Sequence, residues 1–259
     1  MNINTFVQAA KRRLKGKMDQ VPLSIVKELA CEMDKLSSFP FEEALKKEGM
    51  SFICEIKRAS PSAGIISMTF PYLETARQYQ DAGADAVSVL TEPDYFKGRE
   101  EHLFEISRTI SLPTLRKDFV VHQYQLYEAK LLGASAVLLI CAILDTRKLK
   151  EFIKVCDRLN LSALVEAHTR EEIGSALEAG ARVIGVNNRN LDDFTVDLQN
   201  SINLRPFVPE DILFVAESGI KTRDDIKRLE KARVNGVLIG ETMMRSRDKA
   251  KILSELRGG

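Results

Sequence analysis

The sequence predicts an α/β fold: a single-domain (β/α)8 barrel with an N-terminal helical extension. Three observations lead there. Eight short apolar runs recur roughly 20–35 residues apart, each followed by an amphipathic stretch. Gly83, Gly133 and Gly180 close successive helical stretches just before the next run, the cadence of a β/α repeat. No Gly-rich dinucleotide turn follows the first run, which argues against an open doubly wound sheet.

Residues 1–48 come first. They are polar and helix-prone and carry no strand pattern, so they read as a helical extension packed against a barrel core formed by residues 49–259. The expected strands are SFICEIK (51–57), DAVSVL (85–90), LPTLRK (112–117), SAVLLI (135–140), SALVEA (162–167), RVIGVN (182–187), ILFVAE (212–217) and NGVLIG (235–240). Most are rich in Val, Ile or Leu and apolar on both faces, as buried parallel strands are. Helical patterns such as PYLETARQYQDAG, HQYQLYEAKLLG, DTRKLKEFIKVCDRLN and TREEIGSALEAG fill the gaps. In the last, Thr169 is placed to cap a helix, Glu172 to complete a capping box and Gly180 to end it. No Pro/Gly/Ser-rich linker interrupts residues 51–259, so the chain reads as one domain, 1–259.

A formal net charge of +1 gives no electrostatic basis for broad binding to nucleic acid or an acidic membrane. The apolar run AVLLICAIL (136–144) is well short of the roughly 18–20 residues that span a bilayer. The basic, amphipathic start of the chain lacks the apolar centre of a signal peptide. Four Cys (31, 54, 141 and 156), none in a C-x-x-C pair, suit a reducing cytosol and oppose a zinc site or disulfide framework. A cytoplasmic protein is expected, with no metal, no cofactor and no obligate protein partner.

In a parallel barrel the strand C-termini and the loops after them form the catalytic face. Polar residues concentrate there. Glu55 and Lys57 end the first strand on one side of it; Lys117 ends the third, Glu166 the fifth, Asn187 the sixth, and Glu217 with Ser218 the seventh. The period-two rule puts Ile53, Leu115, Leu164, Gly185 and Val215 beneath them, on the inward face. Any one of these charges alone reads as an ordinary solvated strand end. Five strands each ending an apolar run with a group costly to bury read better as a site. Confinement is expected to move the proton affinities of paired Lys and Glu toward neutrality, where acid–base work is efficient.

AESGI (216–220) and LIGET (238–242) each place a Gly after a strand, where positive φ and close ligand approach are allowed. Loops seven and eight of this fold recurrently hold phosphate, so the expected partner is a small phosphorylated substrate. Of the three His, His168 borders the fifth loop, with a capping or surface role as the plainer reading. The loop TEPDYFKGREEHL (91–103) reads equally as a substrate lid or a packing loop.

The strings CEIKRASPSAG (54–64), SVLTEPDYFKG (88–98), LRKDFVVHQYQLYEAKLLGASAVLLI (115–140), LVEAH (164–168), IGVNNRNL (184–191), VAESGI (215–220) and VLIGETMM (237–244) resemble the indole-3-glycerol phosphate synthase family of tryptophan biosynthesis. The resemblance runs through all eight units. It implies closure of 1-(2-carboxyphenylamino)-1-deoxyribulose 5-phosphate to indole-3-glycerol phosphate, with loss of CO2 and water. It also implies Lys117 as general acid and Glu166 as general base or acid of the dehydration. Lys57 would bind the substrate carboxylate and share proton donation; Glu55 and Asn187 would orient the lysine and hold developing polar groups. Glu217 and Ser218 would line the ring-closing centre. Ser60, Arg189, Gly219, Gly240 and Glu241, the last through its backbone N–H, would surround the phosphate or polar tail. Another phosphate-handling barrel, such as phosphoribosylanthranilate isomerase, and a non-catalytic barrel that binds a phosphorylated metabolite are the alternatives; two lysines placed for a carboxylate and a ketone favour the synthase.

Overall fold

A computed structural model describes residues 3–33, 38–190 and 194–259. Eight parallel strands close into a barrel: β1 (Ser51–Ile56), β2 (Ala86–Leu90), β3 (Thr114–Lys117), β4 (Ala136–Ile140), β5 (Ser162–Ala167), β6 (Val183–Asn187), β7 (Leu213–Glu217) and β8 (Gly236–Ile239). Each pairs with its sequence neighbours, and β1 closes the ring by pairing with β8 as well as β2. Each strand lies within the run expected for it. The bounds tighten by a residue or two where pairing stops, as at Lys57, which lies just past β1.

The helices are α1 (Ile3–Gln20), α2 (Leu23–Glu32), α3 (Pro40–Lys46), α4 (Tyr72–Asp81), α5 (Glu100–Thr109), α6 (Tyr124–Leu131), α7 (Thr146–Arg158), α8 (Arg170–Ala179), α9 (Gln199–Leu204), α10 (Arg223–Lys231), α11 (Glu241–Arg245) and α12 (Lys249–Arg257). Helices α1 to α3 make up the described part of the extension; residues 1, 2 and 34–37 of the expected span 1–48 lie outside the described residues. No helix among the described residues is long and apolar enough to cross a membrane.

Alternation along the strands creates two apolar layers. Ile53, Leu115, Leu164, Val215 and Leu238 point inward and form a small core of their own, closed at the N-terminal end by Phe41 and Leu45 of α3. Pro40 starts that helix, a position where its missing N–H costs nothing. The residues between, such as Phe52, Cys54, Val165 and Phe214, face outward and meet the helices in a larger core. Because each strand buries both faces, it has no polar alternation to show, and only the strand ends are free to carry charge.

The repeat is punctuated as its residues require. Thr169 Oγ1 accepts the Glu172 N–H at 3.2 Å, and Gly180 ends α8 in the left-handed region at φ 90°. Glu172 turns its carboxylate to the His168 N–H, at 2.6 Å, one residue before the cap. Gly83 and Gly133 also have positive φ.

Of the 91–103 segment, residues 91–99 form a loop packed against α1, and residues 100–103 open α5. The Glu92 carboxylate accepts N–H bonds from Asp94, Tyr95 and Phe96 and an ion pair from Arg13 of α1, while Phe6 of α1 meets Tyr95 edge-on at 4.9 Å. Gly98 sits so tightly under β2 that a Cβ there would lie 2.7 Å from the Leu90 carbonyl carbon. Gly98→Ala is therefore expected to cost about 1–3 kcal/mol, read as a lower urea midpoint at unchanged slope.

Candidate active site

The parallel register brings the strand ends to one rim. Every site residue expected from the sequence lines one cavity of about 920 Å3 at the C-terminal end of the barrel: Glu55, Lys57, Ser60, Lys117, Glu166, Asn187, Arg189, Glu217, Ser218, Gly219, Gly240 and Glu241. Leu191, part of one matched string, lies outside the described residues.

Lys117 is the hub. Its Nζ lies 3.3 Å from Glu217 Oε2 and 3.9 Å from both Glu55 Oε2 and Glu166 Oε2. Lys57 pairs with Glu55 Oε1 at 2.6 Å. Asn187 Nδ2 donates to Glu166 Oε2 at 3.3 Å, and its Oδ1 accepts the Arg189 N–H at 3.0 Å. Two ammonium groups and three carboxylates thus share one buried rim.

The electrostatics depart in part from the sequence expectation. Burial by itself would lower the Lys117 pKa, but Glu217, Glu55 and Glu166 outweigh it and hold the ammonium above its usual range, away from neutrality. Burial would raise Glu55; the Lys57 and Lys117 charges overcome this and bring it below the usual carboxylate range. Glu217 alone of these moves toward neutrality, to about 7, because burial and the neighbouring Glu166 charge outweigh Lys117. Its two oxygens have no hydrogen-bond partner, and the Lys117 contact is an ion pair without good donor alignment. The cause of the difference is position: the lysine sits among three carboxylates, whereas each carboxylate shares the lysine.

A carboxyl whose folded pKa is raised favours folding below its unfolded value, and that contribution is lost as pH rises through the folded one. Glu217→Gln removes this cost. It is expected to leave stability nearly unchanged at pH 5 and to raise it by about 2–3 kcal/mol at pH 8, seen in paired denaturant titrations.

Two glycines make room for these charges. A Cβ at Gly185 would collide with Glu217 Oε1 and come within 3.1 Å of Leu164, so the bare backbone of β6 is what lets Glu217 fold over it. Gly240 has φ −108°, not the positive value allowed for in the sequence. Its reason is space: a Cβ there would collide with Glu55 Oε1 and lie 2.7 Å from Lys57 Nζ. Gly219 does have positive φ, 85°, and Ser218 before it is left-handed too, at 66°, an unusual conformation for a non-glycine residue. Loop eight leads straight into α11, whereas α10 starts four residues after Gly219, capped by Thr222.

One wall was not read from the sequence. Phe6, Phe96 and Phe119 line the same cavity, with Phe6 stacked on Phe119 at 4.7 Å and 2°. Phe119 follows Lys117 by two residues and Phe96 sits in a noted loop, so both had a local signal. Phe6 had none; it reaches the cavity only because α1 docks there.

A family model described as indole-3-glycerol phosphate synthase matches residues 3–256. The chain is 52% identical over 258 residues to the indole-3-glycerol phosphate synthase of Ruminiclostridium cellulolyticum, covering 100% of this chain and 99% of that one. It is 46% identical over 268 residues to the enzyme of the same name from Lachnoclostridium phytofermentans, covering 99% of each. Among solved structures, a 3-hexulose-6-phosphate synthase superposes with a TM-score of 0.64 at 16% identity, covering 80% of this chain and 98% of that one. Thiamine phosphate pyrophosphorylase from Pyrococcus furiosus superposes with a TM-score of 0.59 at 19% identity, covering 80% and 93%. These structural likenesses concern the barrel alone.

Proposed function

The chain belongs to the indole-3-glycerol phosphate synthase family, and on that premise we propose how its own residues divide the work of the reaction. It is a decarboxylating lyase of tryptophan biosynthesis that closes 1-(2-carboxyphenylamino)-1-deoxyribulose 5-phosphate to indole-3-glycerol phosphate, releasing CO2 and water.

Lys117 is the general acid. As the ring carbon bearing the carboxylate bonds to the ketone carbon, the ketone oxygen gains charge and takes a proton from Lys117 to become a hydroxyl. The ammonium's raised proton affinity keeps it charged throughout the neutral range, as a donor must be before transfer. Lys57 holds the substrate carboxylate until the bond from the ring carbon to the carboxylate carbon breaks, its electron pair restoring the aromatic ring as CO2 leaves, and it shares proton donation. Glu55 keeps Lys57 aimed through the 2.6 Å pair. Glu166, steadied by Asn187, takes the proton lost from the carbon beside that hydroxyl, while the hydroxyl leaves as water with a proton donated by Lys57. Glu217 and Ser218 border the ring-closing centre.

Phe6, Phe96 and Phe119 form an apolar face for the carboxyphenyl ring. Ser60, Arg189, Gly219, Gly240 and the N–H of Glu241, at the start of α11, surround the phosphate. Residues 1–48 and 49–259 act as one domain, because Phe6 of the extension shares the cavity with the barrel. The near-neutral charge supports action on a small phosphorylated substrate rather than on nucleic acid or an acidic membrane, and the four free cysteines suit a reducing cytoplasm.

The observation that carries the reading is the convergence of Lys117 with Glu55, Glu166 and Glu217 beside the Lys57 pair. The direct test is incubation with the carboxyphenylamino substrate while indole absorbance and fluorescence are followed. Glu166→Gln is expected to slow the dehydration about 10²–10³-fold, with a ring-closed intermediate accumulating in single turnover. Full-rate dehydration in that variant would remove Glu166 from this role.

A further inference from the structure

We propose that His168, held in place by Glu172, is a positioning residue for Glu166 that fixes one carboxylate oxygen and sets a positive charge behind it. This goes beyond the roles above and rests on Glu166 being the group that moves a proton.

The geometry divides the two oxygens of Glu166 between two sets of neighbours. Oε2 takes Asn187 Nδ2 at 3.3 Å and has Lys117 Nζ at 3.9 Å. Oε1 faces away from these and lies 3.8 Å from His168 Nε2. His168 does not line the cavity; it stands just past β5, behind Glu166.

Its ring is gripped from the other side. Glu172 Oε2 accepts the His168 backbone N–H at 2.6 Å and lies 3.5 Å from Nδ1. A carboxylate against Nδ1 keeps a proton on that nitrogen and leaves Nε2 to face Glu166. Nε2 is buried yet has no hydrogen-bond partner at its resting distance. A buried ring nitrogen left unpaired is costly, and a small pivot closes the gap to Oε1.

The groups around the imidazole are mainly acidic. Glu166 comes from β5, Glu172 from α8 and Glu217 from β7; the Cys141 thiol, beside Glu172 and Glu166, is kept protonated by burial at about 12. Burial disfavours the imidazolium, but the three carboxylates outweigh it and extend the charged form toward neutral pH. A residue serving only to start α8 would not need this arrangement, since Thr169 already caps that helix.

The test compares pH profiles of the single-turnover rate for the wild type, Glu166→Gln, His168→Gln and Glu172→Gln with the carboxyphenylamino substrate. Glu166→Gln should abolish one limb of the profile. His168→Gln should keep that limb but move it to higher pH, because the imidazolium that faces the carboxylate is gone. Its rate should fall about tenfold with KM within about twofold of the wild type. Glu172→Gln keeps the ring but removes its counter-charge, so the same limb should move in the same direction by less. Should His168→Gln fail to fold, Glu172→Gln decides alone. A limb that stays at its wild-type position in the folded variants, whatever their thermal stability, overturns the inference. Wild-type turnover by Glu166→Gln would overturn the underlying reading instead.

Discussion

Lys117→Ala is expected to lower kcat about 10³-fold, equivalent to about 4 kcal/mol of transition-state stabilisation, with a much smaller change in KM. The size follows from the lysine's place as the shared counter-charge of Glu217, Glu55 and Glu166. In the proposed mechanism, removing it takes away the proton donor and leaves three carboxylates without their shared counter-charge. Steady-state turnover with the carboxyphenylamino substrate checks this, and near-wild-type kcat would exclude Lys117 as the acid. The same variant should shed the Lys117 contribution to stability. That contribution belongs to a group raised on folding, so it is complete below the ordinary lysine range and fades only as pH rises through the higher folded value.

Arg116→Ala is expected to cost about 3–5 kcal/mol of folding stability while leaving the catalytic groups in place. Arg116 points outward from β3, next to Lys117, and is 1% exposed. Its guanidinium reaches Glu100 Oε1 and Glu128 Oε2, both at 2.7 Å, and the Gln125 carbonyl at 3.1 Å. Lys17 of α1 pairs with the same two glutamates, so one partly buried cluster around Arg116 ties the extension, α5 and α6 to the barrel wall. Truncation leaves two carboxylates of that cluster with Lys17 as their main counter-charge. The deficit should shrink at acid pH, where they can take up protons. Urea unfolding at pH 5 and pH 8 measures both; equal deficits at the two pH values would show that lost packing, not unpaired charge, is responsible.

The barrel was legible because its evidence is local. A strand buried on both faces reads as a near-continuous apolar run, and a repeat must be punctuated by caps and glycines such as Thr169 and Gly180. The polar rim was legible for a related reason: an ionisable or amide group at the end of an apolar run is costly unless it has a purpose, and five strands repeated the pattern. Gly240 shows the limit. Its position was noted, but the reason for it is the Glu55–Lys57 pair beside it, which belongs to β1 and its loop. Phe6 was invisible for the same cause. It lies more than a hundred residues from Phe119, and nothing in its own neighbourhood says which wall its helix will cover.

By itself, the sequence determined the number and order of the β/α units, the rim that holds the polar groups and the family to which the chain belongs. These depend on period, punctuation and residue type, which act over a few neighbouring positions. Only the tertiary structure decided which charges neutralise one another: that Lys117 rises while Glu217 moves toward neutrality, that His168 stands behind Glu166, and that Arg116 anchors the extension. Coulomb energies and desolvation depend on distance and burial in three dimensions, and residues far apart in the chain acquire both only when the barrel closes.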